Sequence, residues 1–145
     1  MVALLDINVL IALAWPNHIH HEAAHRWFRR HAPAGWATCP VTQAGFVRVS
    51  SNTRVLPEAK SPREAIALLE RIVGLPHHVF WSDAVSITDR RYIAVEKLTG
   101  HHQITDAHLL GLAIQRKGRL ATLDRGVTGI VPSGLDTHKI LALVA

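Results

Sequence analysis

Three aspartates stand at positions from which an α/β chain could bring them together. Asp6 interrupts the apolar run Val2-Ala3-Leu4-Leu5-Asp6-Ile7-Asn8-Val9-Leu10, Asp106 lies in the first turn of a helical segment, and Asp124 follows Arg119-Leu120-Ala121-Thr122-Leu123. Parallel sheets build their sites outside the carboxyl ends of the strands. Asp6 and Asp124 reach that edge as strand exits, and Asp106 reaches it from the helix just before the later strand. Gathered there, the carboxylates repel one another by about 4 kcal/mol per pair at ~4 Å and intermediate dielectric, so a proton or a cation must sit among them. Oxygen donors without thiolates select hard ions, which makes Mg²⁺ or Mn²⁺ the expected occupant. A partly hydrated ion of that kind binds phosphate oxygens and acidifies water, the chemistry of phosphodiester cleavage. Each acid also has a plainer job open to it. Asp6 could cap a helix beginning at Ile7, and Asp106 and Asp124 are the residue types that helix starts and turns commonly carry.

A second pattern spells a different chemistry. His21-Glu22-Ala23-Ala24-His25 matches H-E-x-x-H, in which two histidines one helical turn apart bind zinc and the glutamate is the general base. Against a zinc hydrolase, Glu22 and His25 project from the polar side of the helix, opposite Trp27 and Phe28, and Phe28 stands where the longer signature needs glycine. No third ligand stands out among His77, His78, His101 and His102, so a solvated helix face is the expectation. Trp15, Trp36 and Trp81 could stack on bases, but their apolar neighbours point to core packing.

The elements that must position these residues alternate. A strand over the first five residues, buried on both faces, leads through Asp6 into a short helix, Ile7 to Trp15, that stops before Pro16. A helix from His18 to His31 buries Ala24, Trp27, Phe28 and His31 on one face. Gly35 to Cys39 is a second strand, followed by a helix carrying Gln43, Phe46 and Val47. Ser61-Pro62-Arg63-Glu64 is a capped helix start, His78 to Trp81 a third strand, and 89–98 a helix. Thr105 to Lys117 is a helix that Gly118 stops, and Arg119 to Leu123 is the fourth strand. A fifth strand is expected near Leu135 to Thr137. Helices between short apolar strands make an α/β domain with a mainly parallel sheet.

With 145 residues, one domain spanning 1–145 is expected. The lone Cys39 permits no intrachain disulfide, no segment is apolar enough to span a bilayer, and the N-terminus lacks the basic start of a signal peptide. A cytoplasmic location away from membranes is the expectation. The net charge of +5 suits a polyanionic partner.

The blocks LLDINVLIALAWPNHIHHEAAHRWF, CPVTQAGFVRV and ITDAHLLGLAIQRKGRLATLDRG together resemble the PIN-domain ribonucleases, and among them the VapC-type toxins of toxin–antitoxin pairs. The resemblance implies a three-layer α/β/α domain with a short central parallel sheet. It also implies a homodimer, Mg²⁺- or Mn²⁺-dependent cleavage of an RNA substrate, and inhibition by a cognate VapB-like antitoxin. Asp6, Asp106 and Asp124 match the family's metal-binding acids, Asn8 and Thr105 match polar positions beside them, and Thr122 and Arg125 border the last acid. Many members carry a Glu in the helix after the second strand, and Gln43 is placed there. Its amide could bind a metal or orient water and substrate but adds no negative charge. A PIN-like domain that binds RNA without cutting it is the third reading.

Overall fold

The computed structural model describes residues 1–145, and its centre is a five-stranded sheet with all strands parallel. The strands are β1 (Ala3–Leu5), β2 (Trp36–Thr38), β3 (His78–Phe80), β4 (Arg119–Thr122) and β5 (Leu141–Leu143), in the order β3-β2-β1-β4-β5. β1 sits in the middle, wholly buried, with Leu4 opposite Ala37 on one side and Leu120 on the other. That explains its unbroken apolar composition, since helices cover both faces of such a strand.

The helices are α1 (Ile7–Ala14), α2 (His21–His31), α3 (Pro40–Ser50), α4 (Pro62–Val73), α5 (Ile104–Gln115) and the single turn α6 (Thr137–Ile140). Leu5, Val9, Leu10, Trp36, Phe46 and Leu69 pack into the core on one face of the sheet. Leu4, Trp81, Ile93, Leu110, Leu112 and Leu120 pack into the core on the other, which gives the expected three layers. Trp15, Trp36 and Trp81 are all core residues. α4 begins with the anticipated box, Ser61 Oγ accepting from the Glu64 N–H at 3.1 Å and Glu64 accepting from the Ser61 N–H at 3.2 Å.

Three boundaries differ from those expected. Residues 89–98 form turns and a short 3-10 segment, Val95–Lys97, because Asp89 bonds back to Arg91 and the apolar Ile93 and Ala94 are adjacent in sequence, not spaced around a helix. The fifth strand lies at Leu141–Leu143, since only there does the chain offer an apolar stretch long enough to pair with β4. The stop of α5 is also made differently. Lys117 takes the left-handed conformation, φ 56°, while the Gly118 N–H reaches the Ala113 carbonyl at 2.9 Å.

Gly118 is glycine for a different reason: a Cβ there would lie 2.5 Å from the Val2 carbonyl oxygen and 2.7 Å from the Trp81 ring. Both neighbours are fixed, one by the sheet and one by the core. Gly118→Ala should therefore cost about 2 kcal/mol of stability, the scale of overpacking a closed core, read as a lower urea midpoint with unchanged slope.

Candidate active site

Asp6 is 5% exposed at the exit of β1, so its carboxylate survives in the core only by being hydrogen-bonded. One oxygen accepts from the Ile7 N–H at the start of α1, at 2.7 Å, and the other accepts from the Thr122 hydroxyl of β4, also at 2.7 Å. The capping job is thus real, and it occupies only one of the two oxygens. Thr122, itself fully buried, spends its one proton on Asp6 and accepts from the Asp124 N–H at 3.0 Å and the Asn8 amide at 3.3 Å. Asn8 closes the loop by accepting from the Leu123 N–H at 3.2 Å. Every hydrogen-bonding site of the Thr122 hydroxyl is therefore used to fix the exit of β1 to the exit of β4.

Asp124 follows directly and accepts from the Gly126 N–H at 2.8 Å, a turn that leaves it solvent-exposed. Asp106, in the first turn of α5, shares one cavity with Asp124, His102 and Gly126 and another with Asp6, Asn8 and His18. The carboxylate of Asp106 links the two cavities and has no hydrogen-bond partner in the protein. Its pKa is pushed up to about 6 by burial, then by the charges of Asp6 and Asp124. Burial likewise raises Asp6, with Asp124 adding to the effect and the Thr122 and Ile7 bonds opposing it. The three acids therefore feel one another as a cluster of like charge.

The side chains do not form a ready-made cage, since no three acid, histidine or cysteine groups converge closely enough to enclose a metal. Such a donor set fits a cation that keeps much of its water and takes one or two carboxylates directly, as Mg²⁺ does, and does not fit zinc, which demands four close ligands.

Of the other expected residues, Asn8 and Thr122 are in this network, and the rest turn elsewhere. Thr105 is exposed beside Val41, Ile87 and Ile104 in a separate cavity. Arg125 donates to the Ala145 carbonyl at 3.2 Å. Gln43 donates to Thr38 Oγ1 at 3.0 Å and lines a cavity between α3 and α4. The α3 residue that packs against α1 is Gly45, where a Cβ would meet Ile7 Cδ1 at 2.3 Å. Two residues along a helix are about 200° apart, so 43 and 45 cannot face the same way. Gln43 is thus tied to the end of β2 through Thr38 and lines neither of the two cavities that contain Asp106. His18, which sequence reasoning misses, lines the cavity of about 470 Å³ containing Asp6 and Asp106. Its only signal is its place in a histidine-rich segment.

The two motif histidines of that segment are bonded to backbone carbonyls. His21 Nδ1 bonds the Ala12 carbonyl at 2.7 Å and His25 Nε2 bonds the Leu13 carbonyl at 3.0 Å. These are carbonyls from the last turn of α1, which have no partner within the helix and would otherwise be orphaned.

The PIN domain family model matches residues 3–129. The chain is 45% identical over 135 residues to Ribonuclease VapC39 of Mycobacterium tuberculosis, covering 93% of this chain and 97% of that protein. It is 49% identical over 126 residues to Ribonuclease VapC38 of the same organism, covering 87% of each. Among solved structures, the crystal structure of VapBC2 from Rickettsia felis bound to a DNA fragment from their promoter contains a chain that superposes with a TM-score of 0.63. That chain is 14% identical and the match covers 97% of each, which speaks for the fold.

A raised carboxylate pKa means that the folded protein binds the proton more tightly than the unfolded chain, so its contribution to stability falls as pH rises from the ordinary 3.8 through about 6. In chelator, the melting temperature should therefore fall over this window, and Asp106→Asn should flatten the fall. Added Mg²⁺ should raise the melting temperature of the parent protein more at pH 7 than at pH 5. An equal slope in the Asn variant, measured by scanning calorimetry, contradicts the assignment.

Proposed function

Because the chain belongs to the PIN domain family and, within it, to the VapC-type ribonucleases, we propose that it is a metal-dependent endoribonuclease toxin that hydrolyses RNA phosphodiester bonds. The observation that carries the metal-dependent part is Asp106, a carboxylate without a protein partner, whose pKa is raised to about 6 by burial and then by the two further acids beside it. Such a group needs a proton or a cation, and at neutral pH the cation is the better match.

Asp6, Asp106 and Asp124 would hold Mg²⁺ or Mn²⁺. When bound, the ion supplies a Lewis acid for the phosphoryl oxygens and lowers the pKa of water. The chain's own contribution is placement. Thr122 and the Ile7 N–H fix both oxygens of Asp6 from opposite sides, so that carboxylate does not have to reorganise when substrate arrives. Asn8 clamps the β4 exit that delivers Asp124. His18 and Asn8 line the cavity from which RNA would reach Asp6 and Asp106.

The same cavity runs over Ile7, Ile11, Val49, Val55 and Leu56. An apolar wall beside an acidic site suits a VapB-like antitoxin segment, which would cover the wall and block RNA together. Ile87 and Ile104 are 40% and 44% exposed and flank Val41 in a neighbouring cavity, a face suited to a second copy of the chain in a homodimer. No helix is long and apolar enough to cross a membrane, and a cytoplasmic place of action is part of this reading.

Purified chain free of antitoxin should cleave RNA with Mg²⁺ or Mn²⁺ and stop on chelation. Asp6→Asn and Asp124→Asn should each abolish cleavage with the circular dichroism spectrum unchanged, while the double change His21→Ala and Glu22→Ala should leave cleavage intact and lower only stability. Full activity in both Asn variants would sink the assignment.

A further inference from the structure

α2 carries Arg26, Arg29 and Arg30 against a single acid, Glu22. None of these arginines is ion-paired, the two pairs in the chain being Arg91 with Asp89 and His108 with Asp83. Ala23, Arg26, Trp27 and Arg30 fall at i, i+3, i+4 and i+7, one stripe of the helix. With His31 the stripe walls a cavity of about 350 Å³ whose other side is formed by Val144 and Ala145. Behind it, Arg119 from the start of β4 bonds His31 Nδ1 at 3.1 Å and lies over the Trp27 ring at 5.9 Å. A guanidinium only donates, so His31 Nδ1 must accept and cannot carry a proton in this arrangement. Arg119 Nε is buried without a partner. The cavity thus presents permanent cations and no side-chain carboxylate.

The position of this cavity gives it a use. The Val144 N–H donates to the Thr122 carbonyl at 2.9 Å, and Arg125 donates to the Ala145 carbonyl at 3.2 Å. One wall of the cavity is therefore continuous with the edge that carries Asp124, and Arg125 stands between them. A polyanion approaching three carboxylates is repelled unless fixed cations flank the approach. Phosphate contacts of this kind position a nucleic acid and supply sequence-independent affinity.

We propose that Arg26 and Arg30 of α2 form an RNA phosphate track that runs past Ala145 and Arg125 to the acidic edge, holding the substrate to one side of the cleaved bond. This rests on the ribonuclease reading for the identity of the polyanion. Arg26 and Arg30 are both exposed, so replacing them leaves the core untouched.

The test compares the parent chain with Arg26→Gln/Arg30→Gln on a labelled single-stranded RNA of about 20 nucleotides, longer than typical single-strand site sizes, and on a trinucleotide. In chelator, the variant should bind the long RNA on the order of tenfold more weakly, with the salt dependence of log K reduced by ~0.7 for each phosphate that is no longer neutralised. With metal, KM for the long RNA should rise, kcat should hold, and cleavage of the trinucleotide should be unchanged. Long-RNA affinity within twofold of the parent overturns the track, including the case where the arginines serve an acidic protein segment instead. Equal losses on both substrates also overturn it. If the parent cuts neither RNA, the ribonuclease reading fails, and the binding comparison in chelator still decides whether Arg26 and Arg30 hold RNA phosphates.

Discussion

One hydrogen bond, from the Thr122 hydroxyl to the buried carboxylate of Asp6, sets the terms for the site. A carboxylate in the middle of a parallel sheet is costly to ionise, and two short bonds to its separate oxygens are what keep it in place. Because Asp6 leaves the central strand and Thr122 leaves its neighbour, that bond also fixes the relative position of the two strand exits. Asp124 is two residues from Thr122 and is held to it through its own N–H. Asp106 comes from α5, which packs beside both strands, and brings a third charge that the protein does not neutralise. Rigid placement of two acids and undercompensation of the third follow from a single arrangement.

Much of this is legible in residue order, because the relevant signals are local. An apolar run broken by an acid, a capped helix start and an acid after an apolar run each declare a strand exit or helix start without reference to the rest of the chain. Asp6, Asp106 and Asp124 are visible that way, and α4 is readable from its Ser-Pro-x-Glu opening. Other features depend on tertiary context. β5 forms where β4 needs a partner, and residues 89–98 coil while Ile93 is drawn into a core made by neighbours distant in sequence. Gln43 depends on tertiary context as well: residue order does not say which face of α3 it takes, and in the fold it bonds Thr38 at the end of β2 and lies outside the two cavities that contain Asp106.

The histidines differ from the acids in this respect. His21 and His25 satisfy a metal motif in one dimension, but in three dimensions they stitch α2 to the carbonyl end of α1. A motif names residue types and spacing; what decides its meaning is the nearest unsatisfied group, and here that group is a backbone carbonyl. Arginines in the same helix show the opposite pattern, with cations that have no partner within the chain and are free to serve something outside it.

Whether Asp6, Asp106 and Asp124 share one hard cation is tested most directly by crystals grown with Mn²⁺ and measured for anomalous scattering. A single strong peak is expected at the edge between β1, β4 and α5, within about 2.3 Å of a carboxylate oxygen of at least one of the three acids, with the others reached directly or through water. A strong peak at His21 and His25 with none among the aspartates would contradict the shared cation.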